Sequence, residues 1–170
     1  MKKLLLIALA VVMALTVVAC VACTEEETYT GYCYYTKNYG TEVGYGCVVD
    51  VTVKGDTITA VKLYTNAEAL AWAQENDVEW LENTVRTTAS WKAGSEQDPT
   101  NDDLGFAAAE AAYAKWIEDT FVGQKVSAVK GWTTNLDELK VEPATSNLAG
   151  ATQSAIRIIS AVQNALKNVK

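Results

Sequence analysis

The sequence predicts an α+β domain, an antiparallel β-meander packed with helices and closed by a long C-terminal helix. Three observations carry this expectation. From Val43 to Val53 every odd position is Val, Tyr or Cys, while the even positions are mostly Gly, Asp and Thr, the alternation of a half-buried strand. Turn signals at Gly40 and at Gly55-Asp56 bracket that segment, so its sequence neighbours return antiparallel to it. Near the C-terminus Ala155, Ile158, Ile159, Val162, Leu166 and Val169 recur at helical spacing and define one apolar stripe facing a core.

The first residues read as a leader. Met1-Lys2-Lys3 is a short basic segment, and Leu4 to Ala19 is an almost unbroken apolar run. That length suits a signal peptide and is short of the roughly 20 residues that span a bilayer. The run ends in Val17-Val18-Ala19-Cys20, which resembles a bacterial lipobox. Cys20 is then the lipidated first residue of the mature chain, with Cys23 as the alternative site and an uncleaved anchor as the competing reading. Residues 1–19 are expected to be a signal peptide, residues 20–27 a lipidated tether and residues 28–170 the folded domain. The protein is expected at the outer face of a bacterial cytoplasmic membrane, or in a periplasm. Each acyl methylene buried in the lipid contributes about 0.8 kcal/mol to anchoring. Glu25-Glu26-Glu27 forms an acidic collar just outside the anchor, which an anionic lipid surface repels.

Within the domain the spacing predicts strands over about Tyr29–Thr36, Val43–Val53 and Thr57–Thr65, with a turn at Lys37–Thr41. An Ala-rich helix follows over Ala67–Asn76, then a weaker helix candidate over Val78–Ser90. Lys92–Asp103 contains Gly94, Pro99 and many acidic or amide residues and reads as a loop. Phe106–Phe121 is a helix whose Ala109, Tyr113, Trp116 and Ile117 share one face. Val126–Trp132 reads as a further strand, and the last helix runs from about Ala151 to Val169.

Composition excludes several chemistries. The 170 residues include no histidine, and both methionines, Met1 and Met13, lie in the leader. Ser-His-Asp and Cys-His nucleophiles, histidine zinc sites and His/Met haem ligation are therefore ruled out, and no metal site is expected. A net charge of −7 argues against nucleic acid, whose binding needs clustered Lys and Arg. Cys33 and Cys47 are symmetric about Gly40 and both lie on the apolar parity of their strands. An antiparallel pair centred there sets them face to face, close enough for a disulfide, which an extracytoplasmic location permits. Two small core residues that happen to align are the alternative.

Several segments, in order, resemble the FMN-binding domain family, which includes flavin subunits of ion-pumping oxidoreductases and many secreted lipoproteins. They are Gly44-Tyr45-Gly46 followed by alternating valines; Asn66-Ala67-Glu68, where the family has His-x-Glu; Leu104-Gly105, reached after an insertion at about 69–103; Phe121-Val122-Gly123-Gln124-Lys125; and Ala149-Gly150-Ala151-Thr152-Gln153-Ser154. The last resembles the Asp-x-x-Ser/Thr-Gly-Ala-Thr motif, whose final Thr is esterified to the FMN phosphate by a flavin transferase. Ser146 stands for the motif's Asp and Ala149 for its Ser/Thr.

The resemblance implies FMN attached through Thr152, with Gly150, Ala151 and Ser154 around it. It also implies Leu104 and Gly105 against the flavin ring, and Glu68 bonded to the ring or ribityl region; an exposed helix-start carboxylate is the alternative reading of Glu68. A phosphoryl group on Thr152 would sit at a helix N-terminus, where free N–H groups and the helix dipole favour an anion. A plain N-cap hydroxyl is the simpler reading of Thr152. Flavin supplies its own electron chemistry, so no catalytic residue is assigned. The implied protein is a carrier that relays electrons between membrane and extracytoplasmic redox partners. The alternative is a non-catalytic binding lipoprotein on the same fold without covalent flavin. Trp72, Trp80 and Trp91 fall in the insertion and are either a lid over the flavin or the insertion's own small core.

Overall fold

The structure is a computed structural model that describes residues 25–38, 40–81, 84–86, 106–135, 140–142 and 152–169. The α+β architecture and the antiparallel meander are as the alternation predicts. Strands β1 (Glu26–Asn38), β2 (Glu42–Lys54) and β3 (Thr57–Leu63) pair antiparallel in the order β1-β2-β3. The β2–β3 turn uses Gly55 at φ 60°, a backbone region that a side chain disfavours. A bulge between Thr52 and Val53 shifts the β2–β3 register.

Helix α1 (Asn66–Glu75) follows β3, capped by Thr65. Its chain direction breaks at Asp77, which takes φ 53°. Beyond it the described chain is not the weak helix expected over Val78–Ser90. Instead Val85–Arg86 forms β4, which pairs parallel with Tyr45–Gly46 of β2. The free edge of β2 beyond the end of β3 offers unpaired backbone groups, and the chain satisfies them there.

Helix α2 spans Phe106–Phe121, the expected limits. Val126–Lys130 is a short helix, α3, and not the expected strand; the strand begins only at β5 (Thr133–Asn135), which pairs with β6 (Lys140–Glu142). Residues 70 positions upstream decide this. The Val126 N–H donates to the Asp56 carbonyl (3.1 Å), and the Ser127 N–H donates to the Asp56 carboxylate (3.3 Å). The β2–β3 turn thereby caps a helix start that the local sequence does not announce.

Helix α4 (Thr152–Leu166) lies across one face of the sheet. Its Ile158, Ile159, Val162 and Leu166 are fully buried with Cys47, Val49 and Val51 of β2, and with Tyr113, Ile117 and Phe121 of α2. Burying each such aliphatic side chain contributes about 1.5–3 kcal/mol. The approach to β1 is close: a Cβ on Gly31 would lie 2.2 Å from the Ala165 nitrogen and 2.3 Å from the Ala161 carbonyl oxygen. Polar ties fix the helix along its length. The Tyr32 N–H donates to Asn164 Oδ1 (3.2 Å), and Gln163 Nε2 donates to the carbonyls of Val129 (3.0 Å) and Trp132 (2.6 Å).

Alternation along β1 and β2 gives the sheet two faces. Tyr29, Gly31, Cys33 and Tyr35 share the α4 face with Tyr45, Cys47, Val49 and Val51. Tyr32 and Tyr34 point the other way, where α1 lies, with Trp72 against Tyr32 at 5.3 Å between ring centroids. No described helix is long and apolar enough to cross a membrane.

Candidate functional site

From Ser154 to Ile159 α4 is buried on all sides: Ser154, Ala155, Ile156, Arg157, Ile158 and Ile159 are each under a tenth exposed. Arg157 is the only charged residue between Thr152 and Leu166. Its guanidinium carbon lies 5.8 Å from the Tyr35 ring centroid and 5.2 Å from that of Tyr45. Those two rings stack on each other, 5.6 Å apart and 16° from parallel, because Tyr35 and Tyr45 are cross-strand partners. Arg157 Nε and Nη1 are sealed from solvent and have no hydrogen-bond partner among the described residues.

Cys33 and Cys47 lie next to this cluster and directly opposite each other in the β1–β2 register, as the symmetry about Gly40 predicts. The expected disulfide is not formed in this structure, where both thiols are free. Burial pushes both thiols above their ordinary range, and the Arg157 charge offsets only part of that shift. Both groups are therefore protonated and neutral near pH 7.

Thr152 opens α4, where the resemblance requires a helix start, and Ser154 is buried in its first turn. Gly150, Ala151, Leu104 and Gly105 lie outside the described residues, as do Cys20, Cys23, Ser146, Ala149 and Trp91. Glu68 is on the other face. It sits at the third position of α1, where its backbone N–H donates to Thr65 Oγ1 (3.2 Å) and its carboxylate accepts from the Thr65 N–H (2.7 Å), a reciprocal capping box. Lys62 Nζ donates to its other oxygen at 2.9 Å. The Thr65 N–H and then Lys62 hold the Glu68 carboxyl down to about 2. The structure therefore does not bring Glu68 to the N-terminus of α4, and both carboxylate oxygens are already engaged.

The rest of that face is similarly satisfied. Thr30 Oγ1 (2.7 Å) and the Tyr64 hydroxyl (3.0 Å) donate to the two oxygens of Asp50. Trp80 stacks on Tyr34 with centroids 4.9 Å apart, and the Leu81 N–H donates to the Tyr34 hydroxyl at 3.1 Å. Trp72 and Trp80 thus pack on the sheet as a small core of their own, on the face away from α4. Among the described residues no group of three Cys, Asp or Glu is placed to hold a metal. An open groove of about 500 Å³ lies at the far end of the sheet, between Glu25, Glu27, Tyr29, Val53, Gly55, Asn168 and Val169, remote from Arg157.

Arg157 was the residue the sequence pattern passed over. A signal was present, a single charge inside the run Ile156-Arg157-Ile158-Ile159, because a cation in an apolar helix stretch is buried only with a partner. No family model, curated protein or solved structure matches this chain.

Proposed function

We propose that this chain is a lipid-anchored extracytoplasmic flavoprotein that holds FMN covalently through Thr152 and passes electrons between membrane and extracytoplasmic redox proteins. One observation carries the reading. The helix that opens at Thr152 buries a guanidinium with two unpartnered donors in its second turn, and such a group fits the phosphate of FMN. Thr152 would hold the phosphoester, Arg157 would neutralise it, and the Tyr35–Tyr45 pair would wall the site. Bound flavin supplies one- and two-electron transfer; the protein contributes attachment, charge compensation and shielding from water.

Signal-peptide cleavage before Cys20 and lipidation there would tether the domain, with the acidic collar holding it off the lipid. A flavin transferase is the partner that attachment requires. The engagement of Glu68 on the opposite face favours a second reading, a binding lipoprotein with the same anion-compatible helix and no covalent flavin.

Co-expression of the full chain with a flavin transferase tests the first reading. The protein band is expected to fluoresce as flavin after denaturing electrophoresis, and Thr152→Ala is expected to abolish that signal. A wild-type band without flavin fluorescence selects the second reading, and fluorescence surviving Thr152→Ala moves the attachment elsewhere.

A further inference from the structure

A guanidinium remains protonated at any pH a folded protein meets, so Arg157 cannot relieve its burial by losing charge. It is 2% exposed, Nε and Nη1 make no hydrogen bond, and no described carboxylate forms an ion pair with it. The Tyr35 and Tyr45 rings offset part of the desolvation through their π faces, but they accept none of the in-plane N–H donors. The two thiols beside it are neutral and supply no counter-charge. An isolated buried charge is among the most destabilising features a fold can contain, so the guanidinium calls for an anion that the described protein does not provide.

The placement says which anion. Side chains of a helix lean toward its N-terminus, which carries the Arg157 head from the second turn toward the first, the positive end of the α4 dipole. Nε and Nη1 lie on different edges of the planar fork. An anion held at the helix start meets the guanidinium together with the free N–H groups there, the arrangement that suits a phosphate-class oxyanion.

We propose that Arg157, the first turn of α4 and the Tyr35–Tyr45 pair form a binding site for a phosphate-class oxyanion. Two sources share this chemistry, the phosphodiester of a flavin carried on Thr152 and a free phosphate or phosphoester compound. The first source rests on the flavin reading; the site itself does not.

Inorganic phosphate is the probe, titrated at constant ionic strength into the full chain, in detergent and without flavin transferase, with the unfolding midpoint as readout. The wild-type midpoint is expected to rise with phosphate and keep rising logarithmically above Kd. Arg157→Met, which keeps the stem and removes the charge, is expected to show no phosphate response and an unliganded midpoint at or above wild type. Arg157→Lys provides a second reading should the Met variant fail to fold: it keeps the charge, loses the fork, and is expected to bind phosphate at least tenfold more weakly. A wild-type midpoint no more sensitive to phosphate than to chloride overturns the site, as does an Arg157→Met or Arg157→Lys response equal to wild type. Flavin-loaded chain then separates the sources: loss of the phosphate response identifies the phosphodiester as occupant, and an undiminished response identifies a free phosphate compound. Failure of flavin attachment leaves the unloaded titration standing, so the two ideas fail separately.

Discussion

The two faces of the central sheet solve the burial of polar groups in opposite ways. On the α1 face Asp50, Tyr64, Lys62 and Glu68 are interlocked, every carboxylate oxygen engaged, and the ion pair is open to water. On the α4 face a single cation is nearly sealed and lacks partners on two of its nitrogens. A satisfied, hydrated polar cluster is what a fold needs for its own stability. An unsatisfied buried charge costs stability, and the packing of the described fold does not account for it. The contrast shifts attention from Glu68, which the sequence motif singled out, to Arg157, which it did not.

The largest expected effect separates how tightly the faces are packed. The atoms nearest a Cβ at Gly31 are all α4 backbone, the closest at 2.2 Å, whereas at Gly44 they belong to the Thr84 and Tyr34 side chains. Backbone cannot rotate away and side chains can. Gly31→Ala is therefore expected to destabilise by about 3 kcal/mol or more, and Gly44→Ala by about 1 kcal/mol. Denaturant midpoints of the two variants check this, and equal losses would erase the distinction between a helix-locked face and a side-chain-covered one.

The next effect concerns the thiols on the α4 face. Cys33 and Cys47 are register partners, and closing a loop of about 15 residues by a disulfide contributes about 3 kcal/mol through the unfolded chain. Mild oxidation is expected to lower the intact mass by two hydrogens and to raise the unfolding free energy, read from denaturant curves, by about that amount. Because burial keeps both thiols protonated, native alkylation near pH 7 should be slow and should accelerate on unfolding. Full mass retained after oxidant would leave the pair as two aligned core residues.

How far these features were legible in the sequence follows from the range of the interactions that make them. The meander, the Cys33–Cys47 register and the limits of α2 rest on local alternation, turn residues and helical spacing, which residue order encodes directly. The segment Val126–Lys130 has the local pattern of a strand yet forms a helix, because its cap comes from Asp56, a partner no local window contains. The same holds for β4, which exists because β2 has an open edge at Tyr45–Gly46. Thr152 was legible as a helix start. Arg157, five residues on, is legible as a lone charge in an apolar run, but the missing partner of that charge is visible only once its surroundings are assembled.

The smallest effect is the pH dependence of the satisfied face. Glu68 has its carboxyl held down to about 2 in the folded chain, against an ordinary 4.5. A depressed carboxylate adds stability that is complete above its unfolded value and is lost as pH falls from about 4.5 toward 2. Its side chain is 41% exposed and that of Lys62 is 60% exposed, so water screens the pair and its contribution is a few tenths of a kcal/mol. Glu68→Gln keeps a side chain able to cap Thr65 and is expected to flatten the acid limb of stability between pH 5 and 2 by about that amount. Arg157→Met should leave the same limb unchanged, because a guanidinium does not titrate there. Stability curves of the two variants from pH 7 down to 2 make the comparison direct. If Arg157→Met flattened the acid limb and Glu68→Gln did not, the ionised carboxylate that matters would lie on the α4 face, and Arg157 would have a partner after all.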